Sequence, residues 1–272
     1  MKIYLDQNIW EYVIQEFTVS SFLERIKRKQ FELCLGLHNI YEFGRCFLEN
    51  DMTKIEKGKI IFKYLHDLKI EFFANTEKCL IESDITYAKY GGRTIPFPWL
   101  DSLNIVATKQ EIYHLSIGNF SKAKQFIKNR EDGLTKNTPV FRQAVISNNS
   151  EQDKPLNVQI LMNDWGCRRD IINQTKYATM AKNISDSVLF SEPTKYPFLN
   201  TFINVNIHLN FIALAKPQGP SKKRTSDYRH LIISNAADIF VTNDMNLKKN
   251  SLTLCPHHKV LDTTEFKEML TK

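Results

Sequence analysis

Two short apolar runs in this chain end on an acid. Residues 2–8 read KIYLDQN and close on Asp6. Residues 237–247 read ADIFVTNDMNL, where Ile239 to Val241 run straight into Thr242, Asn243 and Asp244. Runs this short and this apolar predict buried strands, and a chain with such strands far apart has few folds open to it.

The stretches between them decide which. Residues 9–30 carry apolar side chains at helical spacing, from Trp10, Val13, Ile14 and Phe17 to Phe22, Leu23 and Ile26. Residues 31–39 alternate as a second strand, and residues 40–50 predict a helix with Asn39 as its N-cap. A helix over 54–68 and a third strand over 69–73 follow. Late in the chain, residues 227–237 predict a helix, 238–244 a fourth strand, 258–262 a fifth, and 263–270 a closing helix. Strands alternating with helices argue for an α/β fold with a parallel sheet. The middle reads differently. Residues 74–216 alternate helical stretches with loops such as 91–99 and 147–155 and show no internal repeat. We read them as a mainly helical inserted subdomain, with 1–73 and 217–272 forming the core. Residues 216–227 read as a basic linker broken by Pro and Gly.

Composition narrows the class. Of 272 residues, 42% are hydrophobic, enough for a packed core. Lys plus Arg is 37 against 30 Asp plus Glu, a net +7 that suits a polyanionic partner. The most apolar helical stretch, 198–215, contains Asn200, Asn204, Asn206, His208 and Asn210, too polar for a membrane span. Five scattered cysteines without a CxxC pair, and a strand directly after Met1 in place of a signal peptide, lead us to expect reduced thiols in the cytoplasm.

In open parallel sheets, ligands bind beyond the carboxyl ends of the strands. Asp6 ends the first strand and Asp244 follows the fourth. Glu42 falls in the first turn of the helix after the second strand, and Asp227 starts the helix that leads into the fourth. Each acid also has a structural reading. Asp6 or Asn8 caps a helix, Glu42 and Asp227 are solvated first-turn residues, and Asp244 forms an Asx turn. Gathered at one edge, however, four carboxylates repel and raise one another's pKa. A divalent cation relieves that repulsion, and carboxylate oxygens suit Mg²⁺ or Mn²⁺.

The stretches IYLDQN (3–8), HNIYEFGR (38–45) and SDYRHLIISNAADIFVTNDMNL (226–247) resemble the acidic motifs of PIN-like nucleases. In that family the first strand ends in Asp, as at Asp6, and a Glu opens the helix after the second strand, as at Glu42. An Asp starts a later helix, as at Asp227, and another follows the fourth strand, as at Asp244. The resemblance covers residues 1–73 and 222–272. It implies a three-layer α/β/α sandwich with strand order 3-2-1-4-5 and Mg²⁺- or Mn²⁺-dependent phosphodiester hydrolysis, most often of RNA. It also implies toxin or defence biology, with an antitoxin or a second copy as partner. The departure is the long insertion.

On this reading Asp6 and Asp244 are the central metal ligands and catalytic residues, with Glu42 and Asp227 flanking them. Asn8 and Thr242 orient carboxylates or touch phosphate. Arg229 and His230 follow Asp227 closely. His230 shares its helix face and reads equally well as a phosphate contact or a packed core histidine. Arg45, one turn after Glu42, reads as an intrahelical ion pair. Lys222, Lys223 and Arg224 form a basic stretch before Asp227 that suits phosphate contacts or a solvated linker. Lys248 with Lys249, and Arg168 with Arg169, are weaker versions of the same idea. Residues 255–258, CPHH, pack their ligands too tightly for zinc.

An endoribonuclease is therefore the leading expectation. A catalytically inactive RNA- or protein-binding module and a single-strand or flap DNA nuclease are the alternatives. The insertion is expected to lie against the acids as a helical lid.

Overall fold

Ile3, Tyr4 and Leu5 have no solvent exposure, and their place in the sheet explains it. The computed structural model describes residues 1–49, 51–92, 98–132, 158–215 and 220–271. Its sheet has five parallel strands: β1 (Lys2–Leu5), β2 (Glu32–Gly36), β3 (Phe72–Ala74), β4 (Ile239–Val241) and β5 (Lys259–Leu261). They run in the order β3-β2-β1-β4-β5. β1 is the centre: Ile3 aligns with Leu33 of β2 on one side and with Ile239 of β4 on the other. The α/β class and this all-parallel order are those expected.

Helices fill the intervals. They are α1 (Gln7–Glu16), α2 (Val19–Arg28), α3 (Leu37–Gly44) with a 3₁₀ turn (Arg45–Leu48), α4 (Met52–Asp67), α5 (Glu77–Tyr90), α6 (Ser102–Ser116) and α7 (121–132). After them come α8 (Val158–Asn163), α9 (Trp165–Asn173), α10 (Ala178–Ala181), α11 (Asp186–Phe190), α12 (Pro197–Ala215), α13 (Lys222–Ser234), α14 (Met245–Leu254) and α15 (Thr263–Thr271).

Strand side chains alternate between two apolar cores, one on each face of the sheet. Ile3, Leu5, Leu33, Leu35, Ile239 and Val241 face a core shared with Trp10 of α1, Phe62 of α4, Ile112 of α6, Ile127 of α7 and Phe266 of α15. Tyr4, Cys34 and Phe240 face the other, shared with Ile81 of α5, Ile172 of α9, Leu199 and Ile203 of α12 and Leu231 of α13. Helices from the long middle stretch thus enter both cores. No helix among the described residues is long and apolar enough to cross a membrane, and all five cysteines are free thiols.

Several element boundaries differ from those read in the sequence, each for a local reason. The helical stretch 9–30 breaks at Phe17, whose backbone is extended, and Thr18 caps α2 by accepting from the Ser21 amide at 3.3 Å. α3 begins two residues before Asn39, so Asn39 is not its cap. Its Oδ1 accepts from the Gly36 amide at 3.0 Å and its Nδ2 donates to the Leu5 carbonyl at 3.1 Å, which ties α3 to the end of β1. β3 starts late because Lys69, at φ 52°, turns the chain out of α4 in the left-handed region.

α13 begins at Lys222, capped by the Ser221 hydroxyl accepting from the Arg224 amide at 3.1 Å. The basic stretch is therefore a first helical turn, not a linker, and Asp227 lies one turn further in. The apolar residues around 103–106 do form helix, but Leu103 and Val106 are 81% and 52% exposed. α6 buries Ile112 and Leu115 instead. The loop expected over 147–155, part of that over 91–99 and residues 216–219 of the expected linker lie outside the described residues.

The start of α12 gives a stability test. Asp84 of α5 is fully buried, and its Oδ2 accepts from the Phe198 and Leu199 amides at 2.8 and 2.9 Å. Removing a buried cap strands those amides. Asp84→Ala should lower unfolding stability by about 2 kcal/mol, and urea denaturation reads it; an unchanged midpoint would show that α12 does not depend on this cap.

Candidate functional site

The carboxyl edge of the sheet is built by β1 and β4 together. The Asp6 amide donates to the Val241 carbonyl at 2.9 Å, extending the ladder one residue past β1. Asp6 then caps α1: its Oδ1 accepts from the Gln7 amide at 2.7 Å. Its Oδ2 accepts from the hydroxyl of Thr242 at 2.7 Å. The same fully buried hydroxyl accepts from the Asp244 amide at 3.1 Å, so Thr242 joins the two strand-end acids. Asp244 caps α14, with Oδ1 accepting from the Asn246 and Leu247 amides at 2.9 Å each.

Glu42, in the second turn of α3, is held from both sides. Its Oε2 accepts from Nε2 of His230 at 2.7 Å and its Oε1 from the Ser226 hydroxyl at 3.1 Å. Behind His230, Nδ1 lies 2.7 Å from the Tyr4 hydroxyl. At Gly36 a Cβ would stand 3.0 Å from the Tyr4 ring, so the glycine leaves the space that ring occupies. Behind Ser226 stands His38. Arg130 of α7 donates to its Nδ1 at 3.2 Å, which puts the proton on Nε2, 3.0 Å from the Ser226 hydroxyl.

Asp6, Glu42, Asp227 and Asp244 all line one cavity of about 230 Å³, completed by Gln7, Asn8, Tyr41, Ser226, Arg45 and Lys223. Its electrostatics follow from crowding acids out of water. Burial, then the charges of Asp6 and Glu42, push the Asp227 carboxyl up to about 7, against the pull of Lys223 and His230. Burial raises Asp6 as well, opposed by His230 and the Thr242 hydrogen bond. For Glu42 burial is outweighed: the charge and hydrogen bond of His230 and the hydrogen bond from Ser226 hold it below the usual carboxylate value. Burial works against charging His230, yet the charge and hydrogen bond of Glu42, with Asp6 behind them, lift it to about 9. His38 is driven well below its ordinary value by burial, then by the charges of His230, Arg130 and Arg229, and stays neutral.

The supporting residues fall into two groups. Asn8 lines the cavity, and Thr242 orients Asp6 as its position suggested. His230 is a buried ion-pair partner at 1% exposure, not a phosphate contact. Arg229 points away from the cavity to Glu77 of α5, 2.9 Å from Oε1. Arg45 pairs with Glu131 of α7 at 3.3 Å, not with Glu42, and stands on the cavity wall. Lys223 also lines the wall, its Nζ 4.0 Å from Asp244 Oδ2. Arg224 is half-buried on the same turn without lining the cavity, and the Lys222 side chain lies outside the described residues. Arg168 is buried against Asn200 and Asn204, Arg169 holds Asp186, and Lys248 holds Asp262, so none of the three forms an open basic patch. Of the long middle stretch, the start of α5 and the end of α7 reach these side chains, through Glu77, Arg130 and Glu131.

Sequence reading missed His38, Ser226 and Tyr4. Only His38 left a signal, four residues before Glu42 on one helix face.

One group of donors falls within metal-ligand spacing among the described residues. Ligand atoms of His38, Glu42 and His230 lie within 4.8 Å of one another. Their ring nitrogens already meet Arg130, Ser226, Tyr4 and Glu42, so neither imidazole of this set has a free lone pair, while the Glu42 carboxylate keeps some. The carboxylates lining the cavity are oxygen donors of the kind a hard divalent ion takes, and among the described residues no three of them fall within that spacing. Burial, then the charges of Asp6 and Glu42, raise the Asp227 carboxyl, and a bound cation would oppose both effects.

Asp227 holds its proton to about pH 7 when folded, against an ordinary 3.8. Folding stability therefore falls as pH rises between those values. In EDTA, Asp227→Asn should melt above the wild type at pH ~8, with the gap closing toward pH ~4; a gap that ignores pH would refute the crowding. His230 has the opposite sign: its contribution is complete below 6.5 and fades as pH passes about 9. His230→Gln at neutral pH should cost about 3 kcal/mol in urea unfolding, because Glu42 is left buried without its cation.

Comparison with protein-family models, with curated proteins and with solved structures finds no match for this chain, so the site is read from its own chemistry.

Proposed function

We propose that this protein is a PIN-like, divalent-metal-dependent nuclease that hydrolyses phosphodiester bonds, RNA ahead of DNA. The observation that carries the reading is the cavity itself: four carboxylates from β1, α3, α13 and the β4–α14 turn line one space at the carboxyl edge of a parallel sheet. A net charge of +7, with Arg45 and Lys223 on the wall of an acidic cavity, supports a polyanionic substrate.

Asp6, Asp227 and Asp244 would hold Mg²⁺ or Mn²⁺, with Glu42 beside them. The ion would supply Lewis acidity at a phosphate oxygen and at the attacking water. The chain's own part is preorganisation. Thr242 fixes Asp6, the amides of α14 fix Asp244, and His230 with Ser226 fix Glu42, so these carboxylates need no rearrangement when charge develops. Lys223 and Arg45 draw the phosphate backbone to the opening.

One observation favours a second reading, a binding module without catalysis. His230 already neutralises Glu42 from within the protein, as a structural ion pair does. Substitution separates the two. Asp6 and Asp244 both cap helices, and Asn caps as well as Asp. Asp6→Asn and Asp244→Asn therefore keep the fold while removing ligand charge. Labelled RNA and DNA incubated with Mg²⁺, Mn²⁺ or EDTA should be cleaved only with metal, and each variant should lose at least about 100-fold in rate while still binding nucleic acid. Binding without metal-dependent cleavage by the wild type would select the second reading.

A further inference from the structure

Two cations stand on the cavity wall, and they come from different elements. Arg45 opens the 3₁₀ turn after α3, the helix that follows β2. Lys223 is in the first turn of α13 and meets Asp244, the acid that follows β4. β2 and β4 flank β1 in the sheet, so the two cations belong to opposite sides of Asp6. Both are open to solvent, with side chains 54% and 77% exposed.

Arg45 stands within ion-pair distance of one carboxylate and is otherwise open. Glu131 of α7 faces its Nε at 3.3 Å, and the same carboxylate accepts from the Tyr41 hydroxyl. Among the described residues nothing takes the two terminal guanidinium nitrogens of Arg45. A planar guanidinium fork with its tip open matches two oxygens of a phosphate. An acid-lined cavity alone repels the backbone it has to receive, and a cation on its wall offsets that repulsion.

We propose that Arg45 is a phosphate-binding residue of this site and that, with Lys223, it holds the backbone on either side of the phosphate delivered to the acids. The α7 carboxylate Glu131, within ion-pair distance of the Arg45 Nε, competes with the phosphate for this guanidinium. This rests on the nuclease reading and adds to it the line along which the strand lies, from the α13 turn to the turn after α3.

The test is fluorescence anisotropy with a fluorescein-labelled, mixed-sequence oligoribonucleotide of about 12 nucleotides, in EDTA to prevent cleavage, across a range of salt. Arg45→Gln should weaken binding about 5- to 10-fold and reduce the slope of log affinity against log salt by about 0.7, the loss of one phosphate contact on a single strand. Lys223→Gln should do the same, and the double variant should lose both increments. Arg45→Lys should recover part of the affinity, since the charge returns without the fork. Glu131→Gln should tighten binding, because it removes the competing negative charge. Lys63→Gln, an exposed lysine of α4 that does not line the cavity, should leave binding unchanged.

Wild-type affinity and slope in Arg45→Gln, beside a weakened Lys223→Gln, would overturn the role of Arg45 and leave the nuclease reading standing. Failure of the wild type both to bind and to cleave RNA or DNA would overturn both. If Arg45→Gln melts below the wild type, Arg45→Lys and Glu131→Gln decide: unchanged binding in both counts against the proposal.

Discussion

The pairing of β1 with β4 is the constraint on which the rest of this molecule depends. Ile3, Tyr4 and Leu5 lie in register with Ile239, Phe240 and Val241, across nearly the whole chain. Closing so long a loop carries an entropic cost that only extensive burial offsets. The six residues lose all exposure and feed both cores. The same register sets Asp6 beside Thr242, and through Thr242 beside Asp244. A slip of one residue would invert every side chain of β4 and separate the two acids.

Around that pairing the protein assembles an electrostatic imbalance. Glu42 is compensated internally by a buried imidazolium, whereas burial, with Asp6 and Glu42 near it, leaves Asp227 holding a proton near neutrality. Structural ion pairs are ordinarily neutral as a set. Here the cation, His230, lies behind the acids, and the uncompensated charge faces the cavity. An external cation would relieve that asymmetry on the proposed reading, and its origin is geometric: the buried face of α13 carries His230, while Asp227, three residues earlier, meets the opening.

The long stretch between β3 and α13 is part of the same construction. α5 supplies Glu77, which holds both Arg229 and Arg130, and Arg130 sets the tautomer of His38. α7 also supplies Glu131, which touches Tyr41 and Arg45. Side chains of α3 and α13 that hold Glu42 are therefore buttressed by helices with no acid of their own on the cavity. Disturbing the end of α7 reaches Glu42 through Arg130, His38 and Ser226 without a contact to any ligand.

By itself the sequence determined the parallel α/β class and the strands that end on Asp6 and before Asp244, and it offered Glu42 and Asp227 as candidates for the same edge. Those are local properties, read from short apolar runs, helical spacing and the residue at the end of each run. Tertiary structure decided everything that needed a partner distant in the chain. Asn39 looked like a cap and instead ties α3 to Leu5; the basic turn at Lys223 looked like linker and is helix. Arg45 had an acid one helical turn away and took Glu131, and His230 took Glu42 and Tyr4. Periodicity states which face of an element is buried, but a charged or polar side chain goes to whichever group the packed chain brings within hydrogen-bond reach, and that choice is made between elements.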